Sequence, residues 1–247
     1  MLSNTLIKRL YPNATRRHAI VFEAGFWLLS IAPLFCLTYT LCNWLASIRG
    51  QVTHLYFDWE KSFPVIPALI VPYLSIGLFI AGSFFLCRSR RALRNHACRM
   101  LLATIISCTV YLVFPVGFGL ERPNVDGFFG MLFRLLNAVD HPFNETPSSH
   151  ISMLLLIWPI FAKRLNGWRR TSIDCWFTLI ALSVFFTYQH HLIGAVAGAL
   201  VAGICFAVIP TSANSFLTPC LIGIKKFMKN IYKYLNRFAT TFDSCIR

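Results

Sequence analysis

The sequence predicts an all-α fold: a polytopic membrane bundle of about six transmembrane helices with both termini in the cytoplasm. Of its 247 residues, 56% are hydrophobic and only 13% are charged, a balance too apolar for an ordinary soluble domain. The apolar residues fall in separate long runs, and the basic residues collect in alternate connections between them. Such runs are typical of membrane spans, and the basic flanks indicate their direction.

Six apolar runs are predicted to cross the bilayer, whose hydrocarbon core needs roughly 20 residues of helix. They cover residues 19–45, 64–87, 100–117, 148–165, 172–187 and 191–209. The first run is much longer than the apolar part of a signal peptide, roughly 7 to 15 residues, so we expect it to be retained as a span. The fourth run is short and contains Pro159, so its start is expected to lie below the headgroups.

Lysine and arginine outnumber aspartate and glutamate by 23 to 9, which gives a net charge of +14. Of these 23 basic residues, 19 lie within residues 8–17, 88–99, 163–170 and 225–247, which are the N-terminus, the second and fourth connections and the tail. The positive-inside rule therefore places both termini in the cytoplasm, and the basic excess also attracts anionic lipid. No aromatic-basic RNA motif or zinc signature accompanies the charge, so no nucleic-acid partner is predicted.

We predict one membrane domain over residues 1–210, followed by a basic cytoplasmic tail over residues 211–247. The tail repeats a basic residue at every fourth position: Lys225, Lys229, Lys233 and Arg237. This spacing is typical of an amphipathic surface helix. The longest outer connection, residues 118–147, has an apolar middle and is predicted to hold a short helix lying in the membrane interface.

The nine cysteines form no CxxC pair, and most of them lie in or beside apolar runs. This distribution indicates neither a disulfide framework nor a metal site. No metal and no other cofactor is therefore predicted.

Three polar segments stand at the ends of apolar runs: Arg122-Pro123, Asn144 to His150, and Tyr188-Gln189-His190-His191. With six spans and both termini inside, the third run leaves the bilayer just before the first segment. The fourth and sixth runs enter the bilayer at the other two. All three segments are then expected at the same, non-cytoplasmic face, where ionisable residues at the membrane surface are candidate functional residues.

Phosphoryl transfer through a histidine is the chemistry that such a set would perform. Arg122 is expected to hold phosphate oxygens by forked donation, assisted by Ser148 and Ser149 at a helix N-terminus. His190 would attack phosphorus to form a phosphohistidine, while His150 would protonate the leaving oxygen and later activate water.

At these residues the chain resembles the type 2 phosphatidic acid phosphatase and haloperoxidase superfamily. It looks closest to the branch of inositol phosphorylceramide synthase-like transferases and bacterial membrane phosphatases. The matching pieces lie within residues 100–210: Phe114-Pro115 to Glu121-Arg122-Pro123, Asn144 to His150, and Tyr188-Gln189-His190-His191 to Ala197-Gly198. The segment from Asn144 to His150 is the most specific of them.

The resemblance implies Arg122 as phosphate ligand, His150 as acid and base, and His190 as nucleophile. It also implies a lipid or isoprenoid phosphate as substrate and a multi-pass protein of the bacterial inner membrane with its site facing the periplasm. Some members of this branch carry a cytoplasmic phosphatase domain, so a cytoplasmic protein partner is a further expectation.

The chain departs from the family pattern at three positions. Pro115 stands where the family has lysine, Val184 where it has arginine, and Gly194 where it has the aspartate that orients the nucleophilic imidazole. Gly194 belongs to a repeat of small residues at every fourth position, which is typical of a close packing face. Either a neighbour such as Asp140 or Glu145 substitutes for the aspartate, or the activity is weak or lost.

Several readings therefore stay open. The first is a lipid-phosphate phosphatase and the second a lipid phosphotransferase of the same fold. The third is an inactive module that binds lipid phosphate or anchors a partner. His150 alone could be a neighbour of a helix cap, and His191 is interpreted as a packing residue. An enzyme should place a carboxylate or carbonyl within about 3 Å of Nδ1 of His190, and an inert module need not.

Overall fold

A computed structural model of the chain describes residues 12–49, 52–122, 124–140 and 142–210. It contains seven α-helices within these ranges: α1 (Pro12–Ile48), α2 (Ile70–Phe85), α3 (Arg90–Val113), α4 (Gly127–Val139), α5 (Ser149–Ala162), α6 (Trp168–Phe186) and α7 (Leu192–Val208). The described residues from 12 to 205 belong to one compact unit, and a second unit, which begins at residue 206, is described only to residue 210. The predicted tail helix lies outside the described residues.

Three helices are long and apolar enough to cross a membrane: Arg17–Ile48, Pro67–Phe85 and Arg90–Val113. The prediction of a helical fold is therefore confirmed, and the first three predicted spans coincide with these three helices. The helices that follow are shorter or carry charge. α5 and α7 have 14 and 17 residues, and α6 contains Arg169, Arg170 and Asp174. The count of six spans and the cytoplasmic termini stay predictions.

Helices α1 and α3 run parallel to each other. Near the start of α1, Glu23 forms ion pairs of 3.1 Å with Arg90 and Arg94 at the start of α3. Just after α1, Arg49 donates to the carbonyl of Leu112 near the end of α3. The two ends of the bundle are named below after these residues, the Glu23 end and the Arg49 end.

The other helices alternate with this pair. At the Arg49 end, the hydroxyl of Tyr111 on α3 donates to the carbonyl of Pro147, just before α5, over 2.6 Å. The backbone N–H of Ser148 donates to the carbonyl of Gly194 in the first turn of α7 over 2.9 Å. At the opposite end, Arg164 after α5 donates to the carbonyl of Leu86 after α2 over 2.8 Å. All three polar segments therefore meet at the Arg49 end.

Short irregular segments cover the Arg49 end. Two-residue strands, β1 (Thr53–His54) and β2 (Val116–Gly117), pair in parallel, and Asn144 forms a bridge to Val116. Between β1 and α2 a 3₁₀ helix, Asp58–Ser62, buries Glu60. These pairings bring the segments before α2, before α4 and before α5 into contact.

An apolar core lies beneath these segments. Its buried members come from α2, α4, α5, α6 and α7: Ile70, Tyr73, Phe133, Ile151, Val184 and Ala195. Helix α4 confirms the prediction of a short helix in the connection of residues 118–147. Its residue Phe133 is part of this apolar core. Val184, at the position where the family that the chain resembles has arginine, is fully buried here and serves packing.

Candidate functional site

The two histidines predicted to act together lie close to each other. His150 is the second residue of α5, and His190 lies in the turn between α6 and α7. Their ring centroids are 6.1 Å apart, although 39 residues separate them in the sequence. The structure thus gathers both imidazoles at the Arg49 end, as the helix order predicted.

The ring of His190 is oriented by a backbone carbonyl. Nδ1 of His190 lies 2.9 Å from the carbonyl oxygen of Glu145, and because a carbonyl can only accept, Nδ1 carries the hydrogen. Burial lowers the pKa of His190 to about 3, so the ring is neutral at neutral pH. A neutral ring with its hydrogen on Nδ1 has a free lone pair on Nε2, the form that a nucleophile needs.

Arg122 approaches the same place from the segment before α4. One terminal nitrogen donates to Oδ1 of Asn137 over 2.7 Å and to the carbonyl of Asp140 over 3.1 Å. Its Nε is buried, and no described residue accepts a hydrogen bond from it. The hydroxyl of Tyr73, also buried, has no described partner either. Unpaired buried donors call for an acceptor, and an anion such as phosphate is one.

The serines before His150 already have partners. The hydroxyl of Ser148 accepts from the N–H of Ile151 over 3.4 Å and caps α5. The backbone N–H of Ser148 donates to the carbonyl of Gly194. The hydroxyl of Ser149 lies 2.7 Å from that of Tyr111. Both serines therefore shape the start of α5, and their direct contact with phosphate stays a prediction.

The cavity beside His190 is small. Its lining is contributed by four segments of the chain, namely α1, the segment before α4, the segment before α5 and the turn before α7: Tyr39, Phe118, Arg122, Asp140, Pro142, Asn144, Glu145, Gln189 and His190. Its volume of about 10 Å³ accommodates roughly one water molecule. A phosphate would enter only if these side chains moved apart.

Comparisons with protein-family models, curated proteins and solved structures find no match to this chain. The resemblance therefore stands on the motif residues alone, and the geometry carries the functional argument.

Glu145 occupies the space where the family's aspartate would stand. A Cβ atom built on Gly194 would collide with Oε1 of Glu145 and lie 2.7 Å from its carbonyl oxygen. Oε1 also accepts from the N–H of His191 over 2.7 Å. Of the two neighbours considered as substitutes, Glu145 is thus the one that contacts His190, through its carbonyl. Asp140 instead accepts from the hydroxyl of Tyr39 over 2.8 Å.

The small residues of α7 allow this approach. A Cβ atom on Gly198 would collide with the carbonyl oxygen of Ser148 and lie 3.3 Å from Cβ of Ile151. The predicted packing face is therefore used, and the segment before α5 lies against it together with the first turn of α5. That contact fixes the distance between His150 and His190.

His191 packs beside the site. Its ring is stacked on Phe118 and Tyr56, with centroids 4.2 Å and 5.1 Å away. Nε2 accepts from the N–H of Gly119 over 3.2 Å, and Nδ1 donates to Glu60 over 2.8 Å. Both nitrogens are engaged and the ring is 1% exposed, which supports the interpretation of His191 as a packing residue. Burial lowers the pKa of His191, in keeping with this neutral form.

Sequence reasoning missed Glu60, Tyr39, Tyr73 and Asn137. Glu60 is 2% exposed and also accepts from the N–H of Phe57 and Leu192 over 3.0 Å and 3.2 Å. In the sequence it stands among charged neighbours, Asp58 and Lys61, and resembles a solvated loop residue. What distinguishes Glu60 from these neighbours is its contact with His191, which is 131 residues away in the sequence.

Proposed function

We propose that this chain is a membrane lipid-phosphate phosphatase that acts through a phosphohistidine on His190. The observation that carries the proposal is the hydrogen bond from Nδ1 of His190 to the carbonyl of Glu145, with the ring of His150 beside it. A neutral imidazole with a lone pair on Nε2 thus lines a cavity that Arg122 also lines. A nucleophile, an acid and base, and an anion ligand are the groups that this reaction requires.

The proposed reaction has two steps. In the first, the lone pair on Nε2 of His190 attacks phosphorus, and the bond from phosphorus to the lipid oxygen breaks. His150 takes the proton of the bound monohydrogen phosphate and gives it to that oxygen, which leaves as an alcohol. The carbonyl of Glu145 stabilises the positive charge that the phosphorylated ring acquires.

In the second step a water molecule attacks phosphorus and gives a proton to His150. The N–P bond breaks, His150 passes that proton to the inorganic phosphate as it leaves, and both histidines return to their neutral forms. Arg122 holds the phosphate oxygens throughout and offsets the charge that builds on them in the transition state.

We further propose that α5, α6 and α7 complete a six-span bundle in the plasma membrane. The helix ends that carry Arg90, Arg94 and Arg164 would face the cytoplasm. The site, at the opposite end of the bundle, would then face outward. What supports this arrangement is the alternation of helix directions together with the basic residues at the Glu23 end.

The test is phosphate release by the purified protein from phosphatidic acid, phosphatidylglycerophosphate and isoprenyl diphosphate. We expect His190→Ala to abolish release and His150→Ala to reduce it by about 100-fold or more. His18→Ala, which changes an exposed histidine on α1, is the matched control and should match the wild type. Equal release by all four proteins, or by none, contradicts the proposal.

A covalent intermediate gives an independent readout. A substrate labelled in its phosphate should transfer label to the protein in a linkage that acid cleaves and alkali does not, as expected of phosphohistidine. The label should be missing from His190→Ala and present in His18→Ala. Transfer of label onto an added lipid alcohol in preference to water would identify the chain as a phosphotransferase.

A non-catalytic lipid-phosphate binder is the second candidate function. One observation favours it: Val184 and Pro115 stand where the family that the chain resembles has basic residues, so fewer cations are present to stabilise a transition state. This candidate requires that the wild-type protein binds a lipid phosphate and does not hydrolyse it.

A further inference from the structure

Tyr73, in the first turn of α2, contacts the candidate site from a helix that carries none of the motif segments. Its ring is stacked on the ring of His150, with centroids 4.0 Å apart and an angle of 16° between the planes. The ring of His150 lies in turn 6.1 Å from that of His190. Tyr73 is therefore in direct contact with one of the two candidate catalytic histidines.

The hydroxyl group of Tyr73 is buried without a hydrogen-bond partner among the described residues. The residue is 0% exposed, and no described group donates to its oxygen or accepts from it. The hydroxyl interacts electrostatically with Arg122 and Asp140, and both of these residues line the cavity beside His190. A buried tyrosine hydroxyl usually has a partner, because burial without one costs free energy. Its position near this cavity therefore points to a ligand as the partner.

Arg122 carries a second donor of the same kind. One of its terminal nitrogens donates to Asn137 and to the carbonyl of Asp140, whereas its Nε is buried and no described residue accepts from it. A ligand that satisfies both Nε of Arg122 and the hydroxyl of Tyr73 must supply acceptor atoms. Because Arg122 is positively charged, an anion with several oxygens is favoured over a neutral acceptor.

We propose that Tyr73 is a further catalytic residue, whose hydroxyl donates a hydrogen bond to an oxygen of the bound phosphate. This inference rests on the proposed function and adds to it a phosphate ligand from α2. While phosphorus passes from the lipid oxygen to Nε2 of His190, donors directed at the phosphate oxygens stabilise the transition state. No bond of Tyr73 forms or breaks in either step, and its hydrogen stays on the phenol oxygen.

The surroundings of Val184 support this role. Val184 stands where the family that the chain resembles has arginine, and it packs in the same apolar cluster as Tyr73. Its side chain has no donor, so a donor in this part of the site has to come from another helix. A phenol carries no charge, and its burial among apolar neighbours therefore costs less than the burial of a guanidinium group.

Tyr73→Phe removes the hydroxyl and keeps the ring that stacks on His150. Loss of a buried donor without a partner leaves the free energy of unfolding unchanged or raises it, so the unfolding midpoint in phosphate-free buffer should equal or exceed that of wild type. Tyr111→Phe is the contrasting variant, because its hydroxyl donates to the carbonyl of Pro147 and lies 2.7 Å from that of Ser149. Its midpoint should fall by several degrees. An equal fall in Tyr73→Phe, or failure of that variant to fold, would assign the hydroxyl to structure and overturn the inference.

Phosphate release from the lipid phosphate that wild type cleaves best measures the catalytic effect. We expect Tyr73→Phe to lower kcat/KM about tenfold or more, because a donor to the transition state is lost. Tyr56→Phe is the matched control, since Tyr56 also stacks on a histidine ring, that of His191, and also loses only a hydroxyl. It should stay within about twofold of wild type. Equal kcat/KM in wild type and Tyr73→Phe overturns the inference and leaves the proposed phosphatase intact.

Binding of inorganic phosphate separates this inference from the proposed function. Phosphate should raise the unfolding midpoint of wild type above that in sodium chloride of equal ionic strength, and the dependence on concentration gives a Kd. We expect the Kd to be about tenfold weaker in Tyr73→Phe and unchanged in Tyr56→Phe. If no lipid phosphate is hydrolysed and this difference persists, the phosphatase proposal fails and Tyr73 remains a phosphate ligand. If phosphate does not stabilise wild type, or stabilises Tyr73→Phe equally, the inference is overturned.

Discussion

At the scale of single residues, Glu145 connects most of the site. Its carbonyl orients His190, and its carboxyl group accepts from the N–H of His191 and from the hydroxyl of Thr146. It also occupies the space beside Gly194. Beside Gly194, where the family that the chain resembles has an aspartate, a residue from a different segment thus reaches the imidazole of His190 through its backbone carbonyl.

The titration of Glu145 should affect stability. Burial raises the pKa of its carboxyl group to about 7, from 4.5. Between these values the unfolded chain loses a proton that the folded chain keeps. The folded state therefore loses stability as pH rises through that window, by on the order of 3 kcal/mol.

Thermal unfolding of the purified protein measures this effect. The midpoint should fall by several degrees more between pH 5 and pH 8 for wild type than for Glu145→Gln, which keeps an acceptor oxygen and cannot ionise. The same fall in both proteins would show that Glu145 is ionised in the folded state across this range.

At the scale of elements, the segment between α1 and α2 holds the turn that carries His190. Glu60 accepts from Nδ1 of His191 and from the N–H of Leu192, and Tyr188 donates to the carbonyl of Phe63 over 2.9 Å. The turn is thus fixed on one side by Glu145 and on the other by this segment. Because the segment is short and irregular, these few contacts decide its position.

Removal of Glu60 should loosen the nucleophile. Glu60→Ala leaves one buried donor, Nδ1 of His191, without an acceptor, at a cost of about 1 to 3 kcal/mol, and removes the acceptor of two part-buried N–H groups, those of Phe57 and Leu192. We expect a lower unfolding midpoint and a kcat reduced by about tenfold or more, with KM changed less, because Glu60 positions the histidine and does not contact substrate. Glu60→Gln should recover part of both losses.

Glu121→Ala is the matched control for this variant, since Glu121 is an exposed glutamate at the same end of the bundle. It should behave as wild type in both measurements. If Glu60→Ala lowers the midpoint and leaves kcat unchanged, Glu60 serves stability alone.

At the scale of the whole molecule, alternating helix directions bring distant segments to one end. The starts of α2, α5 and α7 and the ends of α1, α3 and α6 meet there, while Arg90, Arg94 and Arg164 lie at the other end. This separation of basic residues from the candidate site is the pattern that the positive-inside rule produces in a membrane.

A reporter of topology checks this arrangement. We expect a reporter fused after Arg247 to be active in the cytoplasm, and a single tag inserted after Asp58, on the exposed part of the first connection, to be reached from outside intact cells. A tag inserted after Gly167, between α5 and α6, is the matched control and should be protected. Labelling of the Gly167 tag and protection of the Asp58 tag would reverse the proposed orientation.

Much of the fold could be predicted from composition and spacing. The first three spans coincide with helices of sufficient length, and the apolar middle of 118–147 forms α4. Apolar runs are local signals, so they can be recognised in a sequence without knowledge of the fold. The proximity of His150 and His190 also followed from sequence, because the order of spans alone assigns each connection to one face.

Other parts of the site could not be predicted. Glu60, Tyr39 and Asn137 stand in segments that show no motif, and each acts through a contact with a distant part of the chain. The role of Gly194 could not be predicted either, because a glycine in the sequence does not indicate which residue packs against it. Only the approach of Glu145 to α7 explains it.

The sequence by itself determined that the chain is helical, with three helices long and apolar enough to cross a membrane, and which three segments approach one another, because hydropathy and charge act over short stretches of chain. Tertiary structure alone decided which group orients His190, which acid is buried beside it, and which side chain of α2 stacks on His150. Those features depend on side chains and carbonyls that meet across more than forty residues, and their contact arises only from the packing of the helices.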